Sequence, residues 1–140
     1  AKHVLEEAKD AFEKIVGEEG FLLKKNDLLA IIHNTLGYFF FMSDGLRDEA
    51  YQSFIRAANY CEKSPYSWNN LGVLLIYFGN FQKAISPLQH AVRFSREVGS
   101  RISVGSIFSD NLKCAEQLLQ GQESPLDPNL GLYFYGVSYR

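Results

Sequence analysis

The sequence has few of the features that mark nucleic-acid binding or membrane insertion. Its 14 basic and 16 acidic residues leave a formal net charge of −2, and no run of Lys or Arg occurs. Because a nucleic-acid-binding domain usually carries a basic patch, we do not expect nucleic acid as a partner. The most apolar stretch, Leu28 to Met42, is interrupted by His33, Asn34 and Thr35. It is too short and too polar for direct membrane insertion.

Cysteine is also scarce, with only Cys61 and Cys114 in the chain. Neither has the spacing of a metal site, and nothing favours a disulfide, so both are interpreted as small core residues. A reducing, cytoplasmic location is therefore expected. The first ten residues are charged and have a helical pattern, which predicts no signal peptide. The chain begins with Ala1 rather than Met, which is compatible with a piece of a longer protein.

Motifs that carry catalysis are missing as well. His3, His33 and His90 are far apart, and none belongs to a His-x3-His or Glu-x2-His pair. Gly-x-Ser-x-Gly is absent, and no glycine-rich loop follows a strand pattern. We therefore predict a protein that is not an enzyme and needs no cofactor or metal. A receptor or enzyme with a pocket between helices is the alternative, and a perturbed titratable group in a closed pocket would favour it.

What the chain does contain is a globular composition, 46% hydrophobic and 14% aromatic, organised around Ser67 to Ser95. Trp68 and Leu71 begin the apolar face of a first helix, and the spacing of Ala84, Leu88 and Ala91 predicts a stripe on a second. Gly79 interrupts the pattern as a glycine just past a helix end does. The stretch predicts a helical hairpin whose small residues let the two backbones approach closely.

The hairpin pattern occurs twice. Three residues of one stretch recur 34 positions later: Ala50, Phe54 and Ala57 as Ala84, Leu88 and Ala91. Leu36-Gly37 recurs 35 positions later as Leu71-Gly72, and the turn before the earlier second helix is one residue longer. Residues 33–57 are thus predicted to be a second copy. An ordinary antiparallel bundle without a repeat is the alternative.

These residues resemble the tetratricopeptide repeat (TPR) family. Trp68-x2-Leu71-Gly72 followed by Ala84-x3-Leu88 and Ala91 is similar to the family's motif, and the period of about 34 residues is that of the family. Leu75 and Arg96 depart from it, at positions where the family often has Tyr and Pro. The resemblance implies an all-α fold, a short right-handed solenoid of antiparallel helix hairpins.

We predict about six helices in a domain of residues 1–120, with repeats at about 30–63 and 65–98. Lys2 to Val16 has the pattern of a second repeat helix whose first helix is absent, because Ala8-x3-Phe12-x2-Ile15 resembles Ala50-x3-Phe54-x2-Ala57. Asn26-Asp27 is predicted to cap a helix over Leu28 to Met42. The remaining helices are predicted at residues 46–62, 67–78, 81–98 and 102–120. Pro87 predicts a kink or a late start in the helix at residues 81–98.

Residues 121–140 are predicted to be an irregular tail rich in proline and aromatic residues. Ser124 to Asn129 forbids a helix, and Leu130 to Arg140 has an extended, aromatic character. Three interpretations stay open: the tail packs on its own helices, it binds a partner or a second copy of the chain, or it begins a further region.

The resemblance also implies a binding surface, because the first helix of each TPR hairpin lines a concave groove. The residues expected to meet a partner are Asn34, Tyr38, Phe41, Tyr66, Asn69, Asn70, Val73, Tyr77 and Asn111. Amide groups can donate to and accept from an extended peptide backbone. The clamp by which co-chaperone TPR proteins grip a carboxylate is incomplete here. The alternative is that the asparagines are surface or capping residues and the aromatics are core.

The function that follows is a non-catalytic protein–protein interaction scaffold that binds a peptide or helical segment in the groove. The alternative is a self-assembling structural protein, a homo-oligomer that uses the N-terminal helix and the aromatic tail. Molecular size that changes with concentration would distinguish the second from the first.

Overall fold

The computed structural model describes Glu6, Glu7, Asp10, residues 25–98 and 105–123, Pro128 and Leu130. Within these residues the chain is all-α and contains no strand, and its five helices pack as adjacent antiparallel pairs. They are α1 (Lys25–Met42), α2 (Arg47–Tyr60), α3 (Pro65–Tyr77), α4 (Phe81–Val98) and α5 (Gly105–Leu119). The sixth predicted helix falls on residues 2–16, of which only Glu6, Glu7 and Asp10 are described, each as helical.

The described helices divide into two compact units, with the boundary between Glu62 and Lys63. The first unit contains the α1–α2 hairpin. The second contains the α3–α4 hairpin and α5, which packs mainly on α4 and more narrowly on α3. The predicted division into residues 1–120 and 121–140 stays a prediction.

Glycine makes the close packing of both hairpins possible. A Cβ atom at Gly72 would lie 2.7 Å from Cδ2 of Leu88 and closer still to its Cγ. A Cβ atom at Gly37 would lie 2.5 Å from Cε1 of Phe54. Real Cβ atoms do not approach other carbons so closely, so only glycine fits at these two positions. The prediction that Gly37 and Gly72 meet the partner helix is confirmed.

Alanine serves the same purpose on the second helices. Ala50 and Ala57 on α2, and Ala84 and Ala91 on α4, have no exposed surface. They lie three or four residues from Phe54 and Leu88, on the same helical stripe. Each hairpin therefore places one large side chain of its second helix over a glycine of its first helix, with small residues on both sides.

Glycines form the turns after α1 and α3, whereas the start of α1 differs from the prediction. Gly45 and Gly79 have φ angles of 79° and 80°, which glycine adopts without strain. The helix predicted at Leu28 begins at Lys25 instead, so the prediction that Asn26-Asp27 forms the N-cap is wrong. Asp27 lies in the first turn, where its carboxylate accepts a hydrogen bond from Cys61 Sγ at 3.4 Å. That bond joins the first turn of α1 to the residue that follows α2.

Pro87 does not delay the start of α4, which begins at Phe81 and continues past the proline to Val98. Proline removes one backbone donor from the helix, a cost that burial of the surrounding face offsets. Pro87 is itself buried, as are Ala84, Leu88 and Ala91 on the same helix. The predicted late start is therefore wrong.

The glycine contacts generate a first test. Helix propensity alone predicts that Gly72→Ala stabilises α3 by about 1 kcal/mol. Because the new methyl group would overlap Leu88, we expect the reverse, a loss of about 1–3 kcal/mol. Urea unfolding followed by circular dichroism measures the difference. The Leu88→Ala background is the control, since the substitution should lose its penalty there. A stabilised Gly72→Ala chain would contradict the close contact.

Candidate functional site

Four of the predicted partner-binding residues are asparagines, and the structure buries all of them. Asn34, Asn69 and Asn70 have no exposed surface, and Asn111 is 1% exposed. Side chains with so little exposed surface contact their own unit rather than a partner. Val73 and Tyr66 are also buried, so six of the nine predicted residues belong to the interior of their unit.

One pair of these asparagines is joined directly. Asn111 on α5 donates from Nδ2 to Oδ1 of Asn69 on α3 at 2.7 Å. Beside it, Tyr66 and Phe108 meet edge to face, with ring centroids 5.5 Å apart. A buried amide bond of this kind is well shielded from water and favours one position of α5 along α3. The sequence predicted both Asn69 and Asn111 as partner-binding residues, not as partners of each other.

The remaining three predicted residues reach the surface. Tyr38 and Phe41 on α1 are half-buried, and Tyr77 at the end of α3 is 52% exposed. The ring of Tyr38 meets Phe39 edge to face, at a centroid distance of 5.9 Å. The hydroxyl of Tyr77 donates to the carbonyl oxygen of Pro128 at 3.4 Å. Residues after α5 thus return to α3 at Pro128. Of the predicted tail, residues 121–123, Pro128 and Leu130 are described, and its other parts lie outside the described residues.

Both hairpins also carry an aromatic contact between their two helices. In the first, His33 stacks on Tyr60 with ring centroids 5.4 Å apart. In the second, Trp68 stacks on His90 at 4.8 Å, and His90 in turn meets Phe94 at 5.9 Å. The residue pattern predicted these histidines only as poor candidates for metal ligands. A signal for the first contact was present, since His33 precedes Trp68 by 35 positions, as Gly37 precedes Gly72.

The charge of His33 is set by its surroundings. Burial in the α1–α2 hairpin lowers the pKa of His33 below 6.5, and the nearby Arg56 guanidinium lowers it further. Among the described residues, the buried Nδ1 of His33 has no hydrogen-bond partner. Both observations favour the neutral imidazole, which stacks on Tyr60 without a desolvated charge.

An open cavity of about 450 Å³ lies between α4 and α5. Val92 and Leu112 give it an apolar part. The other lining residues are polar or charged: Gln89, Arg93, Arg96 and Glu97. Arg93 Nε lies 3.5 Å from Glu97 Oε1, and its guanidinium covers the ring of Phe94 at 5.3 Å. The predicted binding residues did not include this surface.

Neither a protein-family model, nor a curated protein, nor a solved structure matches the chain. In the described residues, none of the helices combines the length and apolar character needed to cross a bilayer.

The Asn69–Asn111 bond can be tested by a double-mutant cycle. Asn69→Ala or Asn111→Ala leaves one buried amide without its partner, and each should cost about 1–3 kcal/mol of unfolding free energy. The double substitution removes both groups, so the losses should be non-additive, with a coupling energy of about 0.5–3 kcal/mol. Denaturant titrations of the four chains measure it. Additive losses would show that the bond contributes nothing.

The lowered pKa of His33 predicts how stability depends on pH. In the unfolded chain the imidazole takes up a proton near its ordinary pKa, whereas in the folded hairpin it takes up the proton only at lower pH. The unfolded state therefore binds more protons, and stability should fall as pH drops from about 6.5 through the folded-state pKa. Arg56→Gln should raise that pKa, and NMR titration of the imidazole measures it. His33→Phe should flatten the corresponding part of the stability profile.

Proposed function

We propose that the chain is a non-catalytic scaffold for protein–protein interaction, built as a short right-handed solenoid of TPR-like helix hairpins. The observation that supports this most strongly is the repeated hairpin contact. Gly37 under Phe54 and Gly72 under Leu88 occupy corresponding positions, 35 and 34 residues apart. A period of about 34 residues in a helix–turn–helix unit is that of the TPR.

The positions of the aromatic rings support the same proposal. His33 and Tyr60, which stack on each other, precede Trp68 and Phe94 by 35 and 34 residues, and Trp68 and Phe94 each contact His90. Aromatic positions therefore recur with the spacing of the glycine contacts, although the second hairpin places His90 in contact with both rings. Repetition of this sort is typical of chains that stack similar units to build an extended binding surface.

The binding residues that we propose are the aromatic side chains of the first helices that a partner can reach. These are Tyr38 and Phe41 on α1 and Tyr77 on α3. Aromatic rings supply large contact area at a low entropic cost, and they are enriched among the residues that dominate binding energy. The hydroxyl of Tyr77 already donates to the backbone carbonyl oxygen of Pro128, so its exposed ring is the part that a partner would contact. The partner class is a peptide or a helical segment with apolar side chains.

The buried asparagines have a different place in this proposal. Asn69 and Asn111 hold α5 on α3, and Asn34 and Asn70 lie within the interior of their units. Substitution of these asparagines is therefore expected to change the stability of the fold rather than to change binding directly. That expectation separates them from Tyr38, Phe41 and Tyr77 in any variant series.

A displayed library of random peptides tests the scaffold proposal with a defined probe. Peptides that the wild-type chain selects are synthesised with a fluorophore, and their affinity is measured by anisotropy. The variant Tyr38→Ala/Tyr77→Ala should weaken binding by about tenfold or more, which corresponds to roughly 1.4 kcal/mol. Gln52→Ala/Lys83→Ala is the control, because both side chains are exposed on second helices.

The control variant should bind the selected peptides as the wild type does, and thermal melts should show that all three chains are folded. A library that yields no binder would count against the proposal. Equal affinity for the wild type and the tyrosine variant would place the binding surface elsewhere.

A further inference from the structure

The cavity between α4 and α5 is a surface that the proposed peptide-binding residues do not use. The described residues that line it belong to α4 and α5, whereas Tyr38, Phe41 and Tyr77 lie on α1 and α3. Its volume of about 450 Å³ is within the range of about 300–1,000 Å³ that is usual for ligand sites. Because the cavity is open to solvent, a segment of another chain can lie in it.

The apolar part of the cavity is small. Val92 of α4 is 8% exposed and Leu112 of α5 is half-exposed, so together they form one patch rather than a long groove. Such a patch suits one large apolar side chain, whose removal from water favours binding. It is too small to hold an apolar helix by itself, so the polar lining has to supply the rest of the recognition.

The polar lining is rich in groups that donate hydrogen bonds. Gln89, Arg93 and Arg96 are exposed and occupy positions i, i+4 and i+7 of α4, so they share one face of the helix. The two arginines are about one helical turn apart. Glu97 supplies the only carboxylate among the described lining residues. The cavity lining therefore carries a net positive charge, in a chain whose formal net charge is −2.

Both guanidinium groups can bind a further carboxylate. Nε of Arg93 lies 3.5 Å from Oε1 of Glu97, but the side chains are 69% and 51% exposed, and an ion pair so exposed contributes little. The guanidinium of Arg93 also lies over the ring of Phe94, which favours one position of the charge. In the described part of the chain, no acidic side chain forms an ion pair with Arg96.

These features favour an acidic peptide over other anions. A free phosphate or a nucleic-acid backbone would use the guanidinium groups but leave Val92 and Leu112 uncovered, and Glu97 would repel its dense charge. An acidic peptide supplies carboxylates for the arginines and an apolar side chain for the patch. Acidic residues three or four positions apart on a helix have Cβ atoms about 5–6 Å apart, which suits arginines three positions apart.

We propose that the α4–α5 cavity binds an acidic segment of a partner protein. One apolar side chain of the segment packs against Val92 and Leu112. Two of its carboxylates, three or four residues apart, pair with Arg93 and Arg96, and the amide of Gln89 extends this row of donors along α4. The site lies within the second unit and goes beyond the scaffold role, on which it does not depend.

Selection from a displayed library of random peptides, carried out on the full chain, tests the proposal. The wild type, Arg93→Glu/Arg96→Glu and Lys63→Glu/Lys83→Glu serve as baits in parallel. The wild type should enrich peptides that have two acidic residues three or four positions apart and a large apolar residue close to them. The arginine variant should lose these peptides. The lysine variant has the same change of net charge on exposed side chains and should keep them.

The enriched peptides are then synthesised with a fluorophore, and their affinity is measured by anisotropy. Arg93→Glu/Arg96→Glu should weaken binding by about tenfold or more. Leu112→Ala should also weaken it, without any change of charge. Raising NaCl from about 50 mM to about 500 mM should weaken binding to the wild type, because salt screens the attraction. Titration with peptide should shift the Nε–H NMR signals of Arg93 and Arg96, and circular dichroism melts verify that each variant is folded.

Three outcomes would overturn the proposal: no enrichment of acidic peptides on the wild type, equal affinity of the arginine variant, and an equal loss of affinity in the lysine variant. Full displacement of the peptides by millimolar inorganic phosphate would also overturn it and assign the cavity to a simple anion. Tyr38→Ala/Tyr77→Ala should keep the acidic peptides, and their loss there would assign them to the tyrosines. Failure of the cavity site and failure of the scaffold role are therefore distinguishable.

Discussion

The close approach of two helix backbones over a glycine determines most of what this chain can build. Where Phe54 covers Gly37 and Leu88 covers Gly72, the second helix has no freedom to move toward the first or along it. A single Cβ atom would separate the helices, so each hairpin is fixed by one missing side chain and one large one. The buried alanines and the two aromatic contacts between helices depend on that separation, because ring centroid distances of 5.4 Å and 4.8 Å require it.

The sequence predicted the hairpins well because their signals are local and occur twice. The Leu-Gly pairs, the alanines of the second helices and the turn glycines each fix a position within about one helical turn, and the second copy confirms the register. The errors arose where distant residues decide the outcome. The start of α1 at Lys25 accompanies the contact of Asp27 with Cys61, 34 residues away. The continuation of α4 through Pro87 accompanies the burial of its whole inner face.

The candidate site was less predictable than the fold, because a helical face is defined by what packs on it. An asparagine at a given helix position can bind a partner if that face is open, but it is an interior residue if a neighbouring helix covers the face. Asn69 and Asn111 are interior because α5 covers α3, and the spacing of 42 residues between them matches no repeat. Tyr77 is exposed because it lies in the last turn of α3, beyond the covered part. An accurate surface prediction would have required the position of α5, which the 34-residue period does not supply.

The amide bond beneath α5 has a consequence for exchanging parts of the molecule. Asn34 precedes Asn69 by 35 positions, the same offset as between Gly37 and Gly72, and it is equally buried. The α1–α2 hairpin thus already carries an amide at the depth where the Nδ2 of Asn111 finds its acceptor. A chimaera that joins α5 directly to the α1–α2 hairpin would keep this polar match. A hydrocarbon side chain at the position of Asn34 would leave the Nδ2 of Asn111 without that acceptor. The buried amide at Asn34 therefore gives the α1–α2 hairpin the polar group that the contact with α5 uses in the second hairpin.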